Sequence, residues 1–196
     1  MNRRTSRFIN LPWMDRLAVA VGFDLVVNWA LLGMAFRHVH NAWLTDFAMV
    51  PQVLLSLWVL SGLGPRPIPP RILATAVVAF LGSATLEASL IGFGRKWPVT
   101  LILASLILLG FCLWRLKDLI AQPEGETVYR QPAFWLLGGW VLGQGMHLTF
   151  IPLADLFLKS LPKAWILVPW IITYFLGLSL NLVLSKAFLC RKSAWS

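Results

Sequence analysis

The stretch LAVAVGFDLVVNWALLGMAF, residues 17–36, contains a single charged residue, Asp24. A membrane-crossing helix needs about 20 predominantly apolar residues, and this stretch has that length. It is longer than the apolar core of a signal peptide, which has about 7–15 residues, and it lacks a clear small-x-small cleavage site. We therefore expect residues 17–36 to form a retained first transmembrane helix.

Further apolar runs of similar length follow the first one. Short polar segments separate them, among them a loop at 64–70 whose prolines exclude a helix, because proline lacks an amide donor and restricts the residue before it. The predicted fold is an all-α bundle of six transmembrane helices that forms one domain, 1–196. The predicted helices cover about 17–36, 43–63, 72–92, 97–114, 133–150 and 165–189, with a short interfacial helix at 153–161.

The composition of the whole chain agrees with this class. Of its 196 residues, 58% are hydrophobic and only 13% are charged, and the mean hydropathy is +0.73. Soluble domains carry about 25% charged residues, and disordered chains need low hydrophobicity. The composition therefore excludes both classes, and six crossings leave no room for a separate soluble catalytic domain.

The basic residues predict the orientation in the membrane. The net charge is +9, but the basic residues form short clusters between apolar runs, so nucleic acid is not expected as a partner. Twelve of the 17 Lys and Arg residues fall on one side when the loops are assigned alternately. The positive-inside rule makes that side, with both termini, cytoplasmic. We expect a protein of a bacterial cytoplasmic (inner) membrane, surrounded by lipid, whose 115–131 loop and basic ends face a cytoplasmic or membrane protein partner.

Polar side chains inside the apolar runs are the candidate site, because a charge at the bilayer centre costs about 2.5–3.5 kcal/mol on insertion scales. They are Asp24, Asn28, Gln52, Glu87, Gln144 and His147. The first two share one face of the first helix. At 1.5 Å of rise per residue, the last four fall in the outer half of the membrane, with Asn28 beneath them. We expect them to line a ligand pocket open to the outside or to relay protons.

Three functions fit these residues. The leading hypothesis is a sensor or accessory module that binds a small lipophilic ligand or a lipid. The second is a proton-coupled small-molecule transporter with Asp24, Glu87 and His147 as relay groups. The third is an intramembrane lipid-modifying enzyme with Glu87 and His147 as acid and base. Alternatively, the polar side chains only form hydrogen bonds between helices, each worth about 0.6 kcal/mol on average.

Motifs for other chemistries are absent from the sequence. It contains no GxSxG, HExxH, P-loop or GxGxxG arrangement. His38 and His40 lie near Asp46, but a metal site needs three or four convergent ligands. We expect neither a cofactor nor a metal, and we favour a protein that is not an enzyme.

The C-terminal half contains the sequence Pro132-x-Phe134-Trp135, which opens the fifth predicted helix after a charged loop. In this it resembles a group of small bacterial multi-helix integral membrane proteins that look like free-standing membrane sensor regions. The pattern has a physical basis, because Pro132 suits a first helical turn and Trp135 suits the membrane interface. The resemblance implies a multi-helix membrane fold and assigns no functional residue.

Overall fold

The computed structural model of the protein describes residues 12–37, 42–64, 66–93, 97–121, 128, 131–160, 182–183 and 185–186. Over these residues the chain is all-α, as predicted, with five helices rather than six. They are α1 (Pro12–Phe36), α2 (Ala42–Gly62), α3 (Pro70–Ile91), α4 (Pro98–Ile120) and α5 (Pro132–Ser160). The six-helix count is therefore not supported. The predicted sixth segment, 165–189, and the candidate metal ligands His38 and His40 lie outside the described residues, apart from four positions of that segment.

Four of the five helices are long and apolar enough to cross a membrane. These candidate spans are Trp13–Met34, Trp43–Gly62, Pro70–Ile91 and Pro98–Ile120. Large apolar side chains cover their outer surfaces, for example Phe36, Val78 and Leu90, which are 77%, 70% and 75% exposed. Extensive exposed apolar surface marks contact with lipid or with another apolar partner. The structure thus supports a transmembrane protein.

Prolines account for most of the differences between the predicted and observed helix bounds. Helix α1 begins at Pro12, five residues before the expected start, because proline is compatible with the first helical turn. Helix α2 contains Pro51, as the predicted helix over 43–63 did. Helix α5 continues through Pro152 to Ser160, where a connection with a separate short helix was expected. Membrane helices tolerate an internal proline when neighbouring groups satisfy the freed carbonyl.

Helix α4 is also longer than predicted, and the difference places Arg115 inside the helix instead of in a loop. The sequence interpretation ended the helix at residue 114 and assigned Arg115 to a cytoplasmic loop. In the structure the helix continues to Ile120, and Arg115 is only 2% exposed. The reason is that hydrogen bonds to a neighbouring helix satisfy its guanidinium, so the charge does not need water.

Helices α2 and α4 are both central, since α2 packs against α1, α3 and α4, and α4 packs against α2, α3 and, most extensively, α5. The best-buried apolar side chains concentrate where α2 and α4 end. They include Leu57, Val59, Leu60, Leu63, Cys112 and Leu137. The start of α1 lies at the same end, because Arg16 reaches the last turn of α2. We call this part of the bundle, with Arg16, Arg115 and the last turn of α2, the arginine end.

Candidate functional site

The arginine end is organised by the C-terminus of α2. The last carbonyl groups of a helix have no partner within that helix, and they carry its negative dipole end. Arg115 donates from Nε to the Leu60 carbonyl at 3.0 Å and from Nη2 to the Ser61 carbonyl at 3.1 Å. Its Nη1 donates to the Arg66 carbonyl at 2.6 Å and lies 3.7 Å from the Asp118 carboxylate. The buried guanidinium therefore caps the C-terminus of α2.

Gly64 allows the chain to turn closely over this guanidinium. Its φ of +106° lies in the region that L side chains rarely adopt, and a Cβ added there would lie 3.2 Å from Arg115 Nη1. Glycine meets both requirements because it has no Cβ. The turn brings the Arg66 carbonyl to its donor.

A second arginine joins α1 to the same helix end. Arg16 Nη1 donates to the Trp58 carbonyl and to Ser61 Oγ, each at 3.0 Å. The Arg16 guanidinium carbon also lies 5.2 Å from the centre of the Trp58 ring, within the range of a cation–π contact. The two arginines together link α1, α2 and α4.

Glu87, on α3, contacts the start of α4, which is the end of that helix opposite to Arg115. Its Oε1 accepts from the Val99 amide at 3.1 Å and its Oε2 from the Thr100 amide at 2.7 Å. Both amides belong to the first turn of α4, where N–H groups lack helical partners and the dipole favours an anion. Trp97, at the N-cap position, makes no side-chain cap bond and donates from Nε1 to the Gly92 carbonyl at 3.1 Å. Glu87 of α3 therefore caps α4.

Thr100 leaves an unsatisfied group at this position. Its side chain is fully buried, and within the described part of the chain its Oγ1 is the buried side-chain atom without a hydrogen-bond partner. A buried hydroxyl without a partner costs about 1–3 kcal/mol. This makes Thr100 a weak point in an otherwise satisfied helix start.

A cavity of about 420 Å³ lies between α1, α2 and α5. Its walls are mostly aliphatic, with one aromatic ring and four polar side chains. The ring and polar side chains are Trp140, Asp24, Asn28, Gln52 and Ser56. The Asn28 amide donates to the backbone carbonyl of Asp24 at 2.8 Å, and the Gln52 side chain is a hydrogen-bond partner of the Asp24 carboxyl. The cavity thus combines an apolar wall with one acidic group.

Asp24 and the cavity beside it lie near the middle of α1. Because α1 begins at Pro12, Asp24 lies about 18 Å along the helix, near its middle, at 1.5 Å per residue. Leu17 and Leu136 also line the cavity, so it extends from that depth toward the arginine end. The pocket expected from the sequence was instead in the outer half of the membrane.

The structure brings three of the six candidate residues together at this cavity. These are Asp24, Asn28 and Gln52. Glu87 is engaged by the amides of α4, Gln144 is half-buried on α5, and His147 is exposed on that helix. None of these three lines the cavity. A functional role for them stays a prediction from the sequence.

Ser56 and Trp140 were not identified as cavity residues from the sequence, although the position of each in its helix indicated such a role. Ser56 lies four positions after Gln52 and therefore on the same helical face. Trp140 lies in the third turn of α5, whereas tryptophans that anchor a helix at the membrane interface lie near its ends. A tryptophan away from a helix end could have been recognised as a cavity residue.

Among the described residues, no group of three or more His, Cys, Asp or Glu side chains could hold a metal ion. Comparisons of the chain with known protein families, curated proteins and solved structures give no match. The geometry of the cavity is therefore the basis for assigning a function.

Proposed function

We propose that the protein binds a small membrane-soluble amphiphile in the cavity between α1, α2 and α5 and acts as a sensor or accessory module. The observation that carries this proposal is a mostly aliphatic cavity with the Asp24 carboxyl at mid-depth. Its volume of about 420 Å³ lies within the 300–1,000 Å³ typical of small-molecule sites. An apolar wall with few polar groups suits a ligand that has both an alkyl part and a polar head.

The position of the cavity favours entry from the bilayer. Helix α1 packs on α2 and α5 packs on α4, whereas α1 and α5 make little contact in the described part of the chain. Val21 and Leu25 line the cavity and are 50% and 57% exposed on the side of α1. An opening beside them faces lipid when α1 spans the membrane, so the ligand reaches it by diffusing within the bilayer.

We further propose six membrane crossings, with both termini on the cytoplasmic side of a bacterial inner membrane. The excess of basic residues on one side supports this orientation. The ammonium of Lys186 lies 5.2 Å from the Trp135 ring at the start of α5. The chain therefore returns to the start of α5 after that helix has run 29 residues away from it. A sixth crossing accounts for this return.

Photolabelling of the purified full-length protein tests the binding function. The probes are two alkyl diazirines, one with a hydroxyl head and one with an amine head, in dodecyl maltoside micelles. We expect saturable labelling of residues 17–28, 52–56 and 136–140, mapped by mass spectrometry. Val21→Trp should reduce labelling by about tenfold, because the larger side chain fills part of the cavity. A tenfold loss corresponds to about 1.4 kcal/mol of binding free energy.

Val19→Trp is the matched control for that experiment. Val19 is 53% exposed on the same helix and does not line the cavity. Labelling should therefore be unchanged in this variant. Non-saturable labelling by both probes, spread over exposed side chains such as Val78 and Leu86 and insensitive to Val21→Trp, would overturn the proposed function.

The transporter and enzyme hypotheses receive less support from the geometry. Both use Glu87 as a proton carrier, but each oxygen of its carboxylate accepts an amide of α4. Protonation of such a carboxylate would remove part of the cap of that helix. The binding proposal uses Asp24, whose side chain faces the cavity.

A further inference from the structure

We propose that the ligand of this cavity carries a cationic ammonium group, bound between the Asp24 carboxylate and the Trp140 ring. The inference rests on the proposed binding function and specifies the chemical class of the ligand. A long-chain amine or a quaternary ammonium amphiphile belongs to this class.

The polar groups of the cavity include strong hydrogen-bond acceptors. Asn28 donates to the Asp24 carbonyl at 2.8 Å through one N–H of its amide, and its amide oxygen is an acceptor. The Gln52 side chain is a hydrogen-bond partner of the Asp24 carboxyl, which has two oxygens and accepts further hydrogen bonds when ionised. An ammonium group donates to such oxygens and, unlike a neutral donor, also compensates the charge of the carboxylate.

The charge of the cavity points to the same class. Within the described residues, Asp24 forms no ion pair with a basic side chain, and the nearest arginine along α1, Arg16, is bound to the end of α2. An isolated carboxylate at membrane depth is costly, and a cation brought by the ligand reduces that cost. A neutral ligand of the same size would leave the carboxylate unpaired.

Trp140 supplies the second element of ammonium recognition. The tryptophan ring attracts a cation more strongly than the other aromatic rings do, and the attraction grows when water is excluded. It lines the same cavity as Asp24, from the opposite helix, α5. Six aliphatic side chains also line the cavity, and they accommodate the alkyl part of the ligand.

The experiment compares diazirine probes that share one alkyl chain and differ in the head group, namely an amine, an alcohol and a carboxylic acid. Dodecyl maltoside micelles are used because this detergent has neither charge nor amine. We expect the amine to half-saturate labelling of the full-length protein at a concentration about tenfold lower than the alcohol, which corresponds to 1.4 kcal/mol. The acid should label least.

Variants assign the preference to the two side chains. Asp24→Asn should abolish the difference between amine and alcohol, whereas Asp24→Glu and the control Asp15→Asn should retain it, since Asp15 is exposed in the first turn of α1. Trp140→Leu should weaken binding of the amine more than binding of the alcohol. Circular dichroism and gel filtration of each variant show whether it is folded.

The outcomes separate this inference from the function on which it rests. Equal labelling by amine and alcohol, or tightest labelling by the acid, would overturn the ammonium inference, while saturable labelling of the cavity would still support binding. A preference for the amine that survives Asp24→Asn would also overturn it. Unsaturable labelling by all three probes would overturn both proposals.

Discussion

Arg115 in α4 and Asp24 in α1 both lie in helices that are apolar enough to span a membrane, yet their surroundings differ. Arg115 donates to three carbonyl groups around the end of α2 and is almost fully buried. Asp24 has the Gln52 side chain as its partner and faces a cavity. The first charge is satisfied by the fold, whereas the second keeps acceptor capacity for a ligand.

Glu87 belongs with Arg115 in this comparison. Both residues place a charge against the helix end of opposite dipole sign, Glu87 at the start of α4 and Arg115 at the end of α2. Depth in an apolar run therefore identifies a charge that needs a partner, but it does not identify the partner. Four predictions test the distinction between charges that stabilise the fold and the one that faces the cavity.

The largest effect is expected for Arg115→Met. It removes three hydrogen bonds from a charged donor and leaves buried carbonyls without a partner, so the free energy of unfolding should fall by about 3–5 kcal/mol. Titration with SDS in mixed micelles, followed by circular dichroism, measures this change. Lys117→Met, at an exposed position two residues away, is the control and should change it little. Equal effects of the two substitutions would refute the role of Arg115.

The second effect concerns the cap of α4. Glu87→Ala should lower the free energy of unfolding by about 2 kcal/mol, because two first-turn amides lose their acceptor. Glu87→Gln should cost about half as much, since its oxygen still accepts one amide. The same SDS titration measures both variants. If Glu87→Ala costs no more than Thr85→Ala, an exposed substitution on the same helix, the capping role is wrong.

The third effect has the opposite sign. Thr100→Val removes the buried hydroxyl that has no partner within the described residues and nearly preserves the shape of the side chain. We expect the free energy of unfolding to rise by about 1 kcal/mol. Thermal unfolding in detergent provides the measurement. A clear loss of stability would mean that the hydroxyl is needed by the helix start.

The smallest effect on stability is expected at the cavity. Asp24→Asn should change the free energy of unfolding by about 0.5 kcal/mol or less, because this carboxyl closes no helix end. The same variant should lose the preference for an amine probe. A stability loss as large as that of Arg115→Met would remove the distinction between the two regions and make Asp24 a structural residue.

The sequence predicted the positions of the helices better than it predicted the contacts of the polar side chains. The apolar runs predicted an all-α membrane protein and the approximate positions of α1 to α4, because span length and hydropathy are local properties. The end of α4 was misplaced because Arg115 was interpreted as a loop residue. Local sequence does not reveal that the carbonyl of Leu60, 55 positions earlier, accepts from it.

The candidate site, too, could be predicted only in part from the sequence. Asp24 and Asn28 could be placed on one face from their spacing, and the structure adds Gln52, Ser56 and Trp140 from two other helices. By depth, Glu87 was grouped with Gln52, Gln144 and His147, although it is bound to the first turn of α4. The helical rise predicts only how deep a side chain lies in the membrane. Which neighbouring helix that side chain faces depends on how the helices pack.

The amino-acid composition is sufficient to show that this chain is too apolar for water and that each charge inside a helix needs a compensating partner. The identity of each partner depends on the packing of the helices. Every helix end offers unsatisfied amides or carbonyls, but contacts between distant segments decide which charge reaches them. Glu87 and Arg115 reach such ends, and Asp24 faces the cavity instead.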